Sequence, residues 1–424
     1  MNLLMLSVDS LRWDMVARTH PDLLATPRFD EATRGFAFTD RCFSVSTATR
    51  PVHQSIFSGL YPFEHGITGQ HRRERRRGIP RLLHRLVQAG YRVSALSEAA
   101  PILGGVDIGA PVQDLPADAA SGLDRLTDGL SGTGDRALFV HYWSTHAPYG
   151  AADGRALGET AELIRQGAHD VVRERYRQAV ISCFEDKIAP LIERLDLGSW
   201  AIVLFGDHGE RWAVDELYHG RTLHHDVLRV PLFLHVPYRD AQPAGEICSL
   251  IDLEPTIRSL LHLGPTQGFG RDLLLACPTD LSTAHDIAGD SGHEPGHPFG
   301  GVSGDSGDHP PLYLAQIEPT PVDATDEIHL VRPDGSGLQT QAPDQLWALF
   351  NARHKATIFE PEGRVAWSQP LDPTETPTSP SGTFDALEAR AQLCNGSEFA
   401  RGELEDGIQA QALESRLRDL GYLA

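Results

Sequence analysis

Three polar groups follow apolar runs closely, and their types suit metal chemistry. Asp9 comes directly after Leu3-Leu4-Met5-Leu6-Ser7-Val8, and Asp207-His208-Gly209 directly after Ala201-Ile202-Val203-Leu204-Phe205. His146 stands just beyond Leu138-Phe139-Val140-His141-Tyr142. Short apolar runs of this kind read as buried strands of a sheet covered on both faces. In open α/β sheets ligands bind beyond the carboxyl ends of the strands, so residues far apart in sequence are expected to converge there. Two carboxylates and an imidazole at one place would suit a divalent cation with oxygen and nitrogen ligands. Taken singly, Asp9 or Asp207 could equally cap the helix that follows it.

A fourth element is Thr49-Arg50-Pro51-Val52-His53-Gln54-Ser55-Ile56-Phe57-Ser58-Gly59. Thr49 is expected as N-cap, Pro51 in the first turn and Gly59 as the stop of a short helix. A hydroxyl at a helix N-terminus lies among unpaired N–H groups, at the positive end of the dipole. Beside a cation held by Asp9, Asp207 and His208, Thr49 could ionise to an alkoxide nucleophile. The alternative is that Thr49 only caps its helix.

The elements that must position these groups alternate in kind for about 270 residues, the pattern of a mostly parallel sheet sandwiched by helices. Further strands are expected at 92–97 and 232–236. Helices are expected at 80–89, at 171–195 with a kink at Pro190, and at 253–263 with Asp252 as N-cap and Gly264 as C-cap. Arg72-Arg73 and Arg75-Arg76-Arg77 are expected to begin a helix with a solvated face. The α/β catalytic unit is placed at 1–277. Residues 278–311, rich in Gly, Asp, His and Pro, read as a loop excursion, with His285, His293, His297 and His309 lacking a regular ligand spacing. A small C-terminal α+β subdomain is expected over 312–424. It would have short antiparallel strands around 312–314, 328–331 and 356–359, a loop at 371–382 and a terminal helix at 403–420.

Composition narrows the partners. There are 37 basic against 58 acidic side chains in 424 residues, a formal charge of −21. Such a surface repels phosphate backbones and anionic bilayers, so neither nucleic acid nor a membrane is expected as a partner. The five scattered cysteines and the absence of a basic leader suggest a cytoplasmic setting. A homo-oligomer is compatible with all of this. An anionic substrate would need a positive site built locally against the global field.

The motifs together resemble the alkaline phosphatase superfamily, in its sulfatase-like branch. Ser7 to Asp14 resembles the opening metal-aspartate strand, and Thr49 to Ile67 the nucleophile helix with the segment after it. His141 to Tyr149 resembles the substrate-histidine segment, Phe205 to Glu210 the second metal motif, and His219 to Leu232 the stretch with a further cationic substrate ligand. Residues 252–263 and the ending 416–422 also match family patterns. The resemblance implies that Asp9, Asp207 and His208 hold one divalent ion (Mn, Zn, Mg or Ca) with Thr49 as its reactive oxygen ligand. A second ion is left open. His146 and His219 would bind substrate oxygens, and His219 would protonate the leaving group.

Departures from the family pattern bear on the chemistry. Sulfatases carry Cys or Ser at the nucleophile position, oxidised to formylglycine, and an Arg four residues on; here Thr49 and His53 stand there. Threonine cannot become formylglycine. Glu98 occupies the neighbourhood expected for the sulfatase lysine. Thr49 with Pro51 and His53 is similar instead to the nucleotide pyrophosphatase/phosphodiesterase group. That group's second metal would want an aspartate where Tyr142 stands, and its phosphate-holding asparagine corresponds to Val52. His53 is a further substrate-binding candidate, with packing inside the helix as the alternative; His224 and His225 could line the pocket or lie at the surface. The expectation is a metal-dependent hydrolase of small anionic phosphoesters (diester, monoester or phosphonate ester) working through a phosphothreonine. Alternatives are a phosphotransferase using the same intermediate, a sulfate-ester hydrolase without formylglycine, and a non-catalytic, metal-stabilised binding protein.

Overall fold

The computed structural model describes residues 1–71, 74–150, 157–213, 218–238, 247–274, 312–319, 345–378, 385–397, 399–401 and 404–405. In chain order the strands are β1 (Asn2–Val8), β2 (Ala37–Phe43), β3 (Arg75–Arg76), β4 (Arg92–Ser97), β5 (Val112–Asp114), β6 (Arg136–Tyr142) and β7 (Trp200–Gly206). They continue with β8 (Arg229–His235), β9 (Cys248–Ser249), β10 (Tyr313–Ile317), β11 (Gln345–Phe350), β12 (Lys355–Glu360), β13 (Arg364–Ser368) and β14 (Leu404–Glu405).

Eight of these form one sheet in the order β5-β4-β6-β1-β7-β8-β2-β9. The run from β5 to β7 is parallel, and β8 lies antiparallel to both of its neighbours. The sheet is mixed but mostly parallel, as expected. Its central strands end flush: Val8 pairs with Tyr142 on one side and with Gly206 on the other. The polar residues that follow therefore emerge along one edge.

Strand parity separates two cores. Leu3 and Met5, Ala137 and Phe139, and Ala201, Val203 and Phe205 pack on one face. Leu4, Leu6 and Val8, Leu138, Val140 and Tyr142, and Ile202 and Leu204 pack on the other. Side chains alternate along a strand, so Ser7, Asp9, His141 and Asp207 belong to the first face. The Thr49–Ser58 helix packs there too, wholly buried, with Phe57 edge-on to Phe139 at 4.9 Å between centroids.

Three local expectations need correction. Thr49 is the first helical residue and Ala48 the N-cap, with no side-chain cap, so the Thr49 hydroxyl is available for other work. Asp252 stands at the N-cap of its helix (Leu253–Leu260) as expected, but its side chain makes no cap bond; the carboxylate accepts instead from the amides of Ser249 and Arg271 and from the Tyr313 hydroxyl. The Arg75–Arg76 segment is a two-residue strand paired with Leu404–Glu405, and Arg75 pairs with Asp107 at 3.2 Å. The start of the expected 403–420 helix is accordingly extended, and its remainder lies outside the described residues.

The 171–195 helix runs from His169 to Ser182, widens into a π segment at Cys183–Ile188 and resumes at Ala189–Ile192. Pro190 would clash with the carbonyl four residues earlier in a regular helix, and the widened turn removes that clash. The second sheet is antiparallel, β10-β11-β12-β13. The expected pieces at 312–314 and 356–359 fall largely in β10 and β12, while 278–311 and 328–331 lie outside the described residues. The described C-terminal helix is Ala386–Gly396, which periodicity did not reveal. This sheet joins the main unit through Gln316 N to Val45 O at 2.9 Å and Glu318 N to Thr68 O at 2.7 Å.

Candidate active site

Asp9, at the end of β1, is fully buried, and both its carboxylate oxygens are engaged. Oδ1 accepts from Ser10 Oγ at 2.8 Å; Oδ2 lies 3.1 Å from Thr49 Oγ1 and 3.2 Å from His141 Nε2. Burial alone would raise its pKa. The hydrogen bond from His141 and the charges of His146, His208 and His141 overcome that and hold it well below the usual carboxylate range. Ser10 adopts φ +56, a conformation that costs a non-glycine residue energy, while its amide donates to Asp207 Oδ1 at 3.0 Å.

Asp207 titrates in the opposite direction. Burial, and then the negative charge of Asp9, push it well above the ordinary value. Its Oδ1 takes the amides of Ser10 and His208, whereas its buried Oδ2 has no hydrogen-bond partner. His208 Nε2 stands 3.7 Å from that oxygen, 3.9 Å from Asp9 Oδ1 and 3.4 Å from Thr49 Oγ1. Its Nδ1 faces the Gly209 carbonyl at 3.0 Å, which turns the Nε2 lone pair inward. An unsatisfied buried carboxylate oxygen, a second carboxylate and an imidazole lone pair around one point fit a divalent cation, whose charge would let both acids ionise together. Asp9, Asp207 and His208 are thus brought together with Thr49.

His146 and His219 form the other half of the site. His146 Nδ1 faces Ala147 O at 2.7 Å and His219 Nδ1 faces Glu210 Oε1 at 2.9 Å. Their Nε2 atoms then meet at 3.3 Å. Trp143 stacks on the His146 ring at 3.7 Å, and His219 lies against His208 at 4.3 Å. Burial is the main cause that lowers His146 to about 3, His219 to about 4 and His208 to about 4. Burial thus disfavours charge on either facing ring, so an oxyanion bound between them would bring protons with it. Glu210 is fixed from behind by the Tyr149 hydroxyl at 3.0 Å, and Tyr149 in turn by Trp212 Nε1 at 2.6 Å.

His53 stands apart from that pair. One turn below Thr49, it is fully buried, with Nε2 2.9 Å from Ser7 Oγ and Nδ1 2.7 Å from the Thr49 carbonyl. Its Nδ1 lies 3.9 Å from Asp207 Oδ2, and His53, His141 and Asp207 form a second group of buried side chains that could hold an ion. Burial lowers it to about 3. His224 and His225 sit further along the His219 loop; His224 Nδ1 accepts from the Asp226 amide and His225 NH donates to Glu375. Tyr142 and Val52 are core residues, so neither position lies in the site.

Sequence reading missed His141, Ser10 and Glu210 as site members. His141 was legible in principle: it has the parity of Ala137 and Phe139, the face that carries Asp9. Its Nδ1 is held by Ser97 Oγ at 2.8 Å.

With the geometry in hand, comparison with known proteins places the chain. No curated protein sequence matches it significantly. Among solved structures it is similar to phosphonate monoester hydrolase from Agrobacterium radiobacter, at 15% identity and TM-score 0.58, over 93% of this chain and 94% of that one. A Bacteroides thetaiotaomicron protein described as a putative sulfatase aligns over 96% and 95% at 11% identity and TM-score 0.63. Lipoteichoic acid synthase LtaP from Listeria monocytogenes aligns over 100% and 92% at 14% identity and TM-score 0.56. These likenesses are of fold. The Sulfatase family model matches residues 1–263, more than half of the chain, and the protein therefore belongs to the sulfatase family of hydrolases.

Proposed function

We propose that the protein hydrolyses small anionic phosphoesters, phosphonate esters included, with Thr49 as the nucleophile. The observation that carries this reading is the Thr49 hydroxyl itself: it is not spent on capping, and lies 3.1 Å from Asp9 Oδ2 and 3.4 Å from His208 Nε2. A threonine at that place cannot supply the formylglycine diol of sulfatases, yet it can attack phosphorus directly.

Asp9, Asp207 and His208 would hold a divalent cation. Such an ion supplies positive charge that favours the ionised Thr49 oxygen and the charge gained in the transition state. Thr49 Oγ1 attacks phosphorus in line, the ester oxygen leaves on the opposite side, and a phosphothreonine forms. The Thr49 proton is released to solvent as its oxygen becomes the nucleophile, because Asp9, held low by its neighbours, is a poor acceptor. His146 and His219 bind non-bridging oxygens, and His219 carries a proton to the leaving alkoxide from Nε2 while Glu210 holds its Nδ1. Water then attacks the phosphothreonine, giving up its proton to His219, and Thr49 recovers one from solvent. Two in-line displacements retain configuration at phosphorus.

The test is metal analysis of the purified protein together with turnover of a phosphomonoester, a phosphodiester, a phosphonate ester and a sulfate ester. Phosphoester turnover that depends on metal and on Thr49 supports the reading. A higher rate on sulfate than on every phosphoester would replace it with a sulfatase that works without formylglycine. An added acceptor alcohol that yields transfer product would make the enzyme a phosphotransferase. Inactivity on all four after addition of Mn, Zn, Mg or Ca would leave a metal-stabilised binding protein.

A further inference from the structure

Lysine is almost absent from this chain: among its 37 basic residues only Lys187 and Lys355 are lysine. Both have ammonium groups turned inward, with side chains 12% and 2% exposed, and both are tied to the loops that carry the facing histidines.

Lys187 projects from the widened π segment and donates to Glu98 Oε1 at 2.5 Å, Ala117 O at 2.5 Å and Ser144 Oγ at 2.6 Å. These bonds use all three ammonium donors. Glu98 Oε2 accepts from the amides of Trp143 and Ser144, at 2.7 and 2.9 Å, and from Ser144 Oγ at 2.6 Å. The His146 amide is bonded to the Trp143 carbonyl, and the Trp143 ring lies flat on the His146 ring. The ion pair thus grips the turn that presents His146.

Lys355, on β12 of the small sheet, donates to the Leu223 carbonyl at 2.5 Å and to Glu375 Oε1, the oxygen that also takes the His225 amide. It grips the far end of the loop that presents His219. An ammonium is a compact point charge with three donors, whereas a guanidinium is planar and longer, so the two are not interchangeable at such buried points. Both lysines of a chain otherwise supplied with arginine stand at such points.

We propose that Lys187 and Lys355 are positioning residues that set the separation of His146 and His219, and so the site's affinity for a tetrahedral oxyanion. The inference rests on the reading of those histidines as oxyanion ligands. It also gives the small sheet a task, because one jaw of the anion site is fastened from β12. Glu98, at the neighbourhood where sulfatases are expected to carry a lysine, becomes the partner of one supplied from another helix.

The test measures inorganic phosphate binding to the metal-loaded, full-length protein by calorimetry, with kcat and KM on its best ester. The variants are Lys187→Ala, Lys187→Arg, Lys355→Met, Lys355→Arg and Glu98→Gln, each checked for metal content and melting temperature. Loosening the support behind a ligand costs ~10–100-fold in affinity, and that loss is expected here with metal content unchanged. Propylammonium, which replaces the missing part of the side chain, should recover phosphate binding in Lys187→Ala; no recovery counts against the role of the ammonium. If Lys187→Ala does not fold, Glu98→Gln and Lys187→Arg carry the test for that loop. Variants that melt earlier yet bind phosphate within about two-fold of the parent would overturn the proposal. A parent protein that binds metal but neither phosphate nor sulfate would overturn the oxyanion reading as well.

Discussion

Asp9 Oδ2 receives the Thr49 hydroxyl at 3.1 Å and His141 Nε2 at 3.2 Å, so one buried oxygen joins the start of a helix to the ends of two neighbouring strands. This junction, with the nearby histidines, holds the Asp9 carboxyl low, whereas burial and the charge of Asp9 push the equally buried Asp207 up. It also sets what each substitution should do.

Replacing Thr49 by Ala removes the nucleophile without touching the carboxylates. Turnover of the best phosphoester should fall by ~10³-fold or more, while Thr49→Ser keeps part of it. Intact-mass measurement after rapid quench should find a phosphoryl adduct on the parent and none on Thr49→Ala. An undiminished rate in Thr49→Ala would sink the covalent mechanism.

Asp207 carries an unpartnered buried oxygen, and burial with the charge of Asp9 disfavours its ionised form, so without a cation the fold bears the cost of holding this acid there. Asp207→Asn should stabilise the metal-free protein by ~1–3 kcal/mol at neutral pH and abolish the rise in melting temperature on adding a divalent ion. In the parent, metal at a hundred times its Kd should add about 2.7 kcal/mol. Thermal scans of both proteins with chelator and with metal decide the matter.

His141 touches Asp9 but does not face the His146–His219 pair. His141→Ala should weaken metal affinity ~10–100-fold through the disordering of Asp9, and His141→Asn should recover part of that. Competition with a metal-sensitive dye gives the affinities directly; equal affinity in all three proteins would remove His141 from the site.

Glu64 makes stability depend on pH away from the active site. Burial is the main cause that raises it from 4.5 to about 7, against the hydrogen bonds from Ser397 Oγ and the Tyr61 amide. Between those values the folded chain holds a proton that the unfolded chain has lost. Stability is therefore greatest below pH 4.5 for this group and declines as pH rises through about 7. The decline amounts to about 3 kcal/mol at most. Glu64→Gln should flatten that slope and be the more stable protein at pH ~8, by urea midpoints taken across the range.

Much of the site was legible because strand ends and helix starts leave local signatures. The runs before Asp9 and Asp207 become β1 and β7, and the Thr49–Ser58 helix begins and ends within a residue of its expected place. Edge and short strands were not legible: β2, β5 and β9 carry mixed burial or only two or three residues, too little for a period to emerge. The Arg75–Arg76 strand exists only because a segment more than 300 residues later pairs with it. Its own sequence favours no strand.

By itself the sequence determined which side chains stand where strands end, since apolar periodicity and turn residues act over a few neighbours. It therefore pointed to Asp9, Thr49, His146, Asp207 and His208, while His219 and the exclusion of formylglycine chemistry came from the resemblance to the sulfatase-like branch. Only the tertiary structure decided which of these touch. That β6 and β7 flank β1, with Val8 level with both Tyr142 and Gly206, is a long-range pairing that no local pattern encodes. The same pairing turned His141 toward Asp9 and Tyr142 away from it. The meeting of His146 with His219, and the hold of the two lysines on their loops, likewise arise from contacts between residues 43 to 132 positions apart.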